Sequence, residues 1–164
     1  MPRARVAHPN WRPSNLSSGP LESKPMVKIT FTYQGDLRCE AVHAPSGVRL
    51  ATDAPVDNQG RGESFSPTDL VATALGACML TTMGIVAQRH GWDLRGSRAE
   101  VEKAMASQPV RRIGELTVVL HMAGEHDERA RTTLERAALT CPVHRSLAPD
   151  VAIPVRIEWA GPSA

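Results

Sequence analysis

The sequence predicts an α+β protein in which antiparallel strands wrap one long, buried central helix. Two patterns carry this prediction. Several short segments alternate apolar with polar residues, as half-buried strands do, whereas residues 70–86 are almost all apolar or small. A chain of 164 residues fits a single domain. Residues 1–25 hold five prolines and no sustained period, so we expect a flexible N-terminal tail there and one domain over residues 26–164.

Three short strands are predicted before the helix. Residues 27–33 alternate apolar and polar side chains, which predicts a strand with one buried face. A short turn joins it to a hairpin partner over residues 37–42, and a third strand follows over residues 48–52. Residues 53–64 are rich in Gly, Pro, Asp and Asn, and this composition predicts a loop.

The central helix has well-defined predicted ends. Ser66 suits the N-cap, Pro67 suits the first helical position, and Asp69 completes a capping box. Gly91 supplies the usual C-terminal stop. Because residues 70–86 are apolar on every side, we expect the helix to be buried all round.

The second half of the chain predicts two strands, a helix and a closing strand. Strands are expected over residues 98–105 and 116–122. Asp127 can cap a second helix, whose apolar face includes Cys141 before a proline ends it. Residues 151–159 alternate as a last strand, and a proline within them indicates an edge position. A short chain that wraps a wholly apolar helix favours a two-fold homodimer.

Composition excludes several classes of partner. The formal net charge is only +2 and the basic residues are scattered, so we expect no nucleic-acid binding. No uninterrupted apolar run reaches the roughly 18 residues that a membrane span needs, and the first residues do not resemble an export signal. Three cysteines at wide spacing do not form a secreted disulfide framework. We therefore expect a cytoplasmic protein, where a cysteine pair is more often redox-active than a permanent cross-link.

Cys78 and Cys141 are the candidate reactive residues. Each has apolar neighbours in a predicted helix and small or β-branched residues beside it, whereas Cys39 fits simple packing in a strand. If the two sulfurs meet, a thiolate can attack a peroxide and become a sulfenic acid, which a second thiol converts to a disulfide. Periodicity alone leaves open whether they meet, because they lie 63 positions apart.

Two segments carry a resemblance to a known family: SPTDLVATALGACM at residues 66–79 and CPVHRSL at residues 141–147. Together they resemble the two cysteine motifs of OsmC/Ohr proteins, and the resemblance spans about residues 27–160. It implies an OsmC-like fold and an intertwined homodimer with active sites at the subunit interface. It also implies reduction of organic hydroperoxides, and more weakly of hydrogen peroxide. No bound cofactor is expected, and the electrons would come from a small dithiol or a lipoylated protein.

The resemblance also assigns roles to individual residues. Cys78 corresponds to the peroxidatic nucleophile and Cys141 to the resolving thiol. Arg38 is the best match for the activating arginine, with Arg49 and Arg61 as alternatives.

One position departs from the pattern. Peroxidase members of the family carry a glutamate directly after the helix-opening proline, where this chain has Thr68. Asp69 is explained by capping, so Glu63, in the preceding loop, is the candidate carboxylate. The departure makes the chain resemble the broad OsmC-like branch more than dedicated organic-hydroperoxide resistance proteins.

Three other functions stay open from the sequence. A metal site could use Cys141 and His144, with His43, His121 or His126 as further ligands, although zinc prefers two tight ligand pairs. A hydrolase could use Cys78 as nucleophile and His144 as base. A redox-sensing or small-molecule-binding protein could have kept the scaffold with little peroxidase activity.

Overall fold

The computed structural model describes residues 26–160, and within them the chain folds as an α+β protein with six strands and three α-helices. The predicted tail, residues 1–25, lies outside the described residues. The strands are β1 (Ile29–Gly35), β2 (Arg38–His43), β3 (Arg49–Thr52), β4 (Arg98–Ala106), β5 (Arg112–Met122) and β6 (Val155–Trp159). The helices are α1 (Pro67–His90), α2 (Glu128–Leu139) and α3 (Pro142–Ser146).

The N-terminal sheet, formed by β1, β2 and β3, is antiparallel throughout. Phe31 pairs with Ala41, which in turn pairs with Leu50. The predicted buried face of β1 is not buried in this chain, because Ile29, Phe31 and Tyr33 are 50–66% exposed. This exposure results from tertiary packing and not from the strand itself. Within residues 26–160 no strand of this sheet packs extensively against a helix or against the other sheet.

The C-terminal sheet has the order β4-β5-β6. β4 and β5 form a long antiparallel hairpin, but β6 runs parallel to β5, with Leu120 paired to Ile157. The prediction of antiparallel strands throughout is therefore wrong here. Between β5 and β6 the chain passes through α2 and α3, and this crossover returns it in the same direction. β6 lies at the sheet edge, as its proline predicted.

Helix α1 begins and ends where the sequence predicted. The Ser66 side chain accepts from the Asp69 N–H at 3.2 Å, while the Asp69 carboxylate accepts from the Ser66 N–H at 2.8 Å. Gly91 ends the helix in the left-handed conformation at φ 73°, which glycine adopts without strain. The capping box therefore fixes the N-terminal end of the helix.

Burial of α1 is one-sided rather than complete. Leu75, Met79 and Met83 are 0% exposed and pack with leucines and valines of β5 and with α2. On another face, Ala77 and Ile85 are exposed, so the prediction of burial on every side is wrong within the single chain. By length and composition the helix could cross a membrane, with a mean hydropathy of 1.9 over 18 residues. A core helix of a globular fold meets the same criterion.

Candidate active site

The structure brings Cys78 and Cys141 side by side. Cys78 lies in the middle of α1 and is partly buried, whereas Cys141 is 0% exposed within the core. Cys78 packs against the buried core cluster that contains Cys141, and the Cys78 side chain is near enough to raise the pKa of the Cys141 thiol. Both cysteines are free thiols in this structure. Two sulfurs 63 positions apart in the sequence thus share one site.

The sequence predicted that Cys141 would lie on the second helix. This prediction is wrong. Helix α2 ends at Leu139, and Cys141 is the N-cap of the short helix α3, with Pro142 in the first helical position. The Cys141 Sγ accepts a hydrogen bond from the His144 N–H at 3.4 Å. Proline cannot continue α2 because it lacks an N–H, but it suits the start of a new helix.

The environment of Cys141 favours its neutral form. Burial raises the pKa of the Cys141 thiol above 9.0, the His144 N–H opposes that rise, and the neighbouring Cys78 side chain adds to it. Desolvation disfavours a thiolate more than the backbone N–H groups of Val143 and His144 stabilise it. Cys141 is therefore a protonated thiol at neutral pH.

Arg38 and Glu63 form an ion pair, as a joint role at one site would require. A third residue, Asp53, joins them. Its Oδ2 lies 3.5 Å from Arg38 Nη2 and accepts from the Glu63 N–H at 3.0 Å. Asp53 is 1% exposed. The sequence interpretation missed Asp53, which had the appearance of an ordinary acid in a loop rich in Gly, Pro, Asp and Asn.

The two alternative arginines occupy exposed surface pairs. Arg49 lies 2.5 Å from Glu40 and is 66% exposed, and Arg61 lies 3.4 Å from Asp36 and is 60% exposed. Exposed pairs of this kind contribute little to stability and fix no geometry. Arg38, at 35% exposure, is the more enclosed of the three candidates.

Thr68, the position that departs from the peroxidase pattern, belongs to a different cluster. Lys103 Nζ donates to Thr68 Oγ1 at 2.7 Å and lies 2.6 Å from Asp69 Oδ1, with only 15% of the lysine side chain exposed. Burial acts to raise the pKa of Asp69, but hydrogen bonds from Lys103 and Ser66 outweigh it, and the pKa falls below 3.8. No pattern in the sequence indicated a role for this lysine.

The thiol pair and the Arg38 cluster are separate within this chain. No hydrogen bond or ion pair joins Arg38, Asp53 or Glu63 to either cysteine among the residues that the structure describes. A groove of about 1000 Å³ runs between residues 62–65, one face of α1 and strand β4, and neither cysteine lines it. The groove is therefore not a pocket around the thiols.

The histidines within the described part of the chain do not assemble into a metal site. His43 contacts Ser46, His121 lies between Glu100 and Glu158, and His126 contacts a backbone carbonyl. Across residues 26–160, no group of three or more His, Cys, Asp or Glu side chains is placed to hold a metal ion. His144 touches Cys141 through its backbone N–H, and its ring Nδ1 is buried without a hydrogen-bond partner.

Comparison with known proteins places this fold in a family. The OsmC family model, described as OsmC-like protein, matches residues 60–156. No curated protein matches the chain. A crystal structure from Psychrobacter arcticus is 47% identical, with a TM-score of 0.77 over 82% of this chain and 98% of that one. That protein is provisionally described as an osmotic stress induced and detoxification response protein.

More distant structures share the fold. An organic hydroperoxide resistance protein OsmC from Legionella pneumophila is 16% identical, with a TM-score of 0.69 over 84% of this chain and 99% of that one. An OsmC like protein from Mycoplasma pneumoniae is 17% identical, with a TM-score of 0.71 over the same shares. The family model covers more than half of the described residues, and the Psychrobacter protein matches nearly end to end. The chain therefore belongs to the OsmC-like family and has its fold.

Proposed function

We propose that this protein is a thiol-dependent peroxidase that reduces organic hydroperoxides, and hydrogen peroxide more weakly. The observation that carries the proposal is the contact between Cys78 and Cys141 inside the core. Membership of a family that includes organic hydroperoxide resistance proteins supports it. Cys78 is the peroxidatic cysteine because it is the less buried of the two.

The reaction uses the two thiols in turn. The Cys78 thiolate attacks the outer oxygen of the hydroperoxide and the O–O bond breaks, which gives a Cys78 sulfenic acid and an alkoxide that takes a proton from water to become the alcohol. The Cys141 sulfur then attacks the sulfenic sulfur, and water leaves as the disulfide forms. A dithiol, either small or carried on a lipoylated protein, supplies two electrons and two protons to restore both thiols. The neutral state of Cys141 keeps it from competing for the peroxide, because the thiolate is the nucleophile.

Arg38 and Glu63 belong to the proposal as the activating pair. A guanidinium close to Cys78 would stabilise its thiolate, and a carboxylate would orient that guanidinium. Among the described residues no hydrogen bond or ion pair joins these groups to Cys78, so the proposal includes a second subunit. The apolar face of the N-terminal sheet, exposed at Ile29, Phe31 and Tyr33, is the surface on which a homodimer would form.

The cysteine roles are tested by single substitutions. Cys78→Ser should abolish turnover of cumene hydroperoxide with dihydrolipoamide as reductant. Cys141→Ser should allow one oxidation and then sulfinic acid formation at Cys78, seen by mass spectrometry as an added pair of oxygens. Cys39→Ser, on a strand outside the pair, is the matched control and should turn over like the parent. Parental cycling by both Cys78→Ser and Cys141→Ser would refute the scheme.

Two observations favour a second function. Because no hydrogen bond joins Arg38 to Cys78 among the described residues and Thr68 is held by Lys103, the protein could bind or sense small molecules with little peroxidase activity. Steady-state assays with dihydrolipoamide, a monothiol and thioredoxin as donors distinguish the two functions. Negligible turnover with every donor, together with a Cys78 that titrates like an ordinary thiol, would favour the sensing function.

A further inference from the structure

Asp53 is an ionisable group that the scheme above does not use. Among residues 26–160 it is the one charged residue in the buried set, at 1% exposure. It directly follows β3, and its N–H donates to the Phe65 carbonyl at 3.2 Å. A buried carboxylate is costly unless it is paired and hydrogen-bonded. Its partners therefore indicate why the position carries an acid.

The hydrogen-bonded partners of the Asp53 side chain are the two members of the Arg38–Glu63 pair, and the Arg61 N–H also lowers the pKa of Asp53. One oxygen of Asp53, Oδ2, faces both Arg38 Nη2 at 3.5 Å and the Glu63 N–H at 3.0 Å. The Glu63 N–H lowers the pKa of Asp53, burial opposes it, and the positive charge of Arg38 lowers it further. Asp53 thus holds the arginine through charge and the glutamate through its backbone.

The two carboxylates around Arg38 are unequal. Asp53 is enclosed and tied to the backbone of the loop, whereas the Glu63 side chain is 58% exposed. In addition, Arg38 Nε and Asp53 Oδ1 are both buried without a hydrogen-bond partner. An arginine and a carboxylate commonly meet through two parallel hydrogen bonds. The unpartnered atoms are the second donor and second acceptor that such an arrangement requires.

We propose that Asp53 is a positioning residue, the fixed carboxylate that holds Arg38 for the reaction at Cys78, while Glu63 is the exchangeable partner. When Glu63 releases the arginine, the Arg38 guanidinium keeps Asp53 and completes a two-bond pair with it through Nε and Oδ1. Asp53 acts through Arg38 and does not touch the peroxide. The role in the reaction rests on the proposed function, but the placement of Arg38 by Asp53 does not.

The placement is measured first without peroxide. Phenylglyoxal modification of Arg38, followed by peptide mass mapping, reports how firmly the guanidinium is held. Asp53→Asn should speed this modification about tenfold or more, since a lost charge-assisted pair frees the side chain. Glu63→Gln removes the same charge from the same arginine and is the matched control, with a smaller increase expected. An equal or larger increase in Glu63→Gln would overturn the proposal.

Coupling to the reaction is measured second, as the rate constant for Cys78 oxidation by cumene hydroperoxide. Asp53→Asn should slow it roughly 10- to 100-fold, the range that a misplaced group costs. In an Arg38→Met background the same substitution should change the rate less than about twofold, since additivity fails for residues that act through one another. Equal effects in both backgrounds would overturn the positioning role. If the parent protein does not react with peroxide but the phenylglyoxal result holds, the proposed peroxidase function is refuted and the placement of Arg38 by Asp53 is retained.

If Asp53→Asn does not fold, the interaction between Arg38 and Asp53 is tested by substituting Arg38 and titrating Asp53. In Arg38→Met the buried Asp53 carboxylate loses its cation, so its titration midpoint, followed by carboxyl-carbon NMR, should rise relative to the parent. An unchanged midpoint would overturn the proposal, because Arg38 and Asp53 would then not interact.

Discussion

Replacing Phe31 with alanine tests whether a second subunit covers the N-terminal sheet. Phe31 is 66% exposed, on the face that also carries Ile29 and Tyr33. A phenylalanine buries about 150–250 Å² when fully enclosed, so about 100–165 Å² remains for a partner to cover. At about 25 cal/mol per Å² this area represents about 2.5–4 kcal/mol. Allowing for the methyl group that alanine keeps, we expect a loss of about 2 kcal/mol at each copy of the site.

Two-fold symmetry doubles the effect. Two sites weaken the dimer by about 4 kcal/mol, which corresponds to roughly a thousandfold rise in the dissociation constant. Sedimentation equilibrium over a range of protein concentrations measures that constant directly. Thr32→Ala, at the next position of β1 and on its opposite face, is the control and should leave the constant within about threefold.

Two results would refute this reasoning. A parent protein that is monomeric at every concentration would show that the apolar face stays in water. A dimer whose dissociation constant is unchanged by Phe31→Ala would show that the subunits meet through another surface. In the chain alone the substitution should cost little stability, since an exposed side chain has few contacts to lose.

Three further predictions concern stability and charge. A Cβ on Gly76 would lie 3.0 Å from a methyl group of a β4 valine, whereas Gly84 faces open space. In urea unfolding, Gly84→Ala should therefore raise the free energy of unfolding by about 1 kcal/mol. Gly76→Ala should have a free energy of unfolding about 1–3 kcal/mol below that of Gly84→Ala, and equal values for the two variants would contradict this. Arg95 lowers the pKa of Asp93 from 3.8 to about 2. The stability from this pair is present above pH 3.8 and is lost as the pH falls through about 2, and NMR titration of Arg95→Gln should show the Asp93 midpoint returning toward 3.8. Ser66→Ala removes the N-cap acceptor and should lower the free energy of unfolding by about 1 kcal/mol, measured by the shift in denaturation midpoint.

Local chemistry predicted the secondary structure where it acts over a few residues. The ends of α1 follow from a capping box and a left-handed glycine, both of which are local. The same reasoning failed for β6, since alternation shows that a strand has two faces and does not show which strand it pairs with, or in which direction. It also failed for the burial of α1 and β1, because an apolar pattern shows what should be covered, not which chain covers it.

For the candidate site, too, the sequence predicted the local features and not those that depend on tertiary structure. The sequence identified both cysteines, yet their meeting depends on the path from α1 through β4, β5 and α2, which no spacing encodes. Asp53 was missed because an acid in a loop rich in Gly, Pro and Asn usually faces water. Its burial results from the loop folding back so that Asp53 and Phe65 are hydrogen-bonded. Tertiary structure, and not composition, turned this carboxylate into a buried group.

The separation of the two clusters makes a last prediction possible. Cys78 lies on α1 and Arg38 on the N-terminal sheet, and nothing among the described residues joins them. If a partner subunit brings an arginine to each thiol, the rate constant for Cys78 oxidation must fall when the protein is diluted below its dimer dissociation constant. In Phe31→Ala that fall should occur at roughly a thousandfold higher concentration, by the same symmetry argument. The opposite result is an oxidation rate constant that does not depend on protein concentration in either protein. It would mean that the thiol pair reacts without an arginine from a second copy. Arg38 would then have to reach Cys78 within its own chain or not at all.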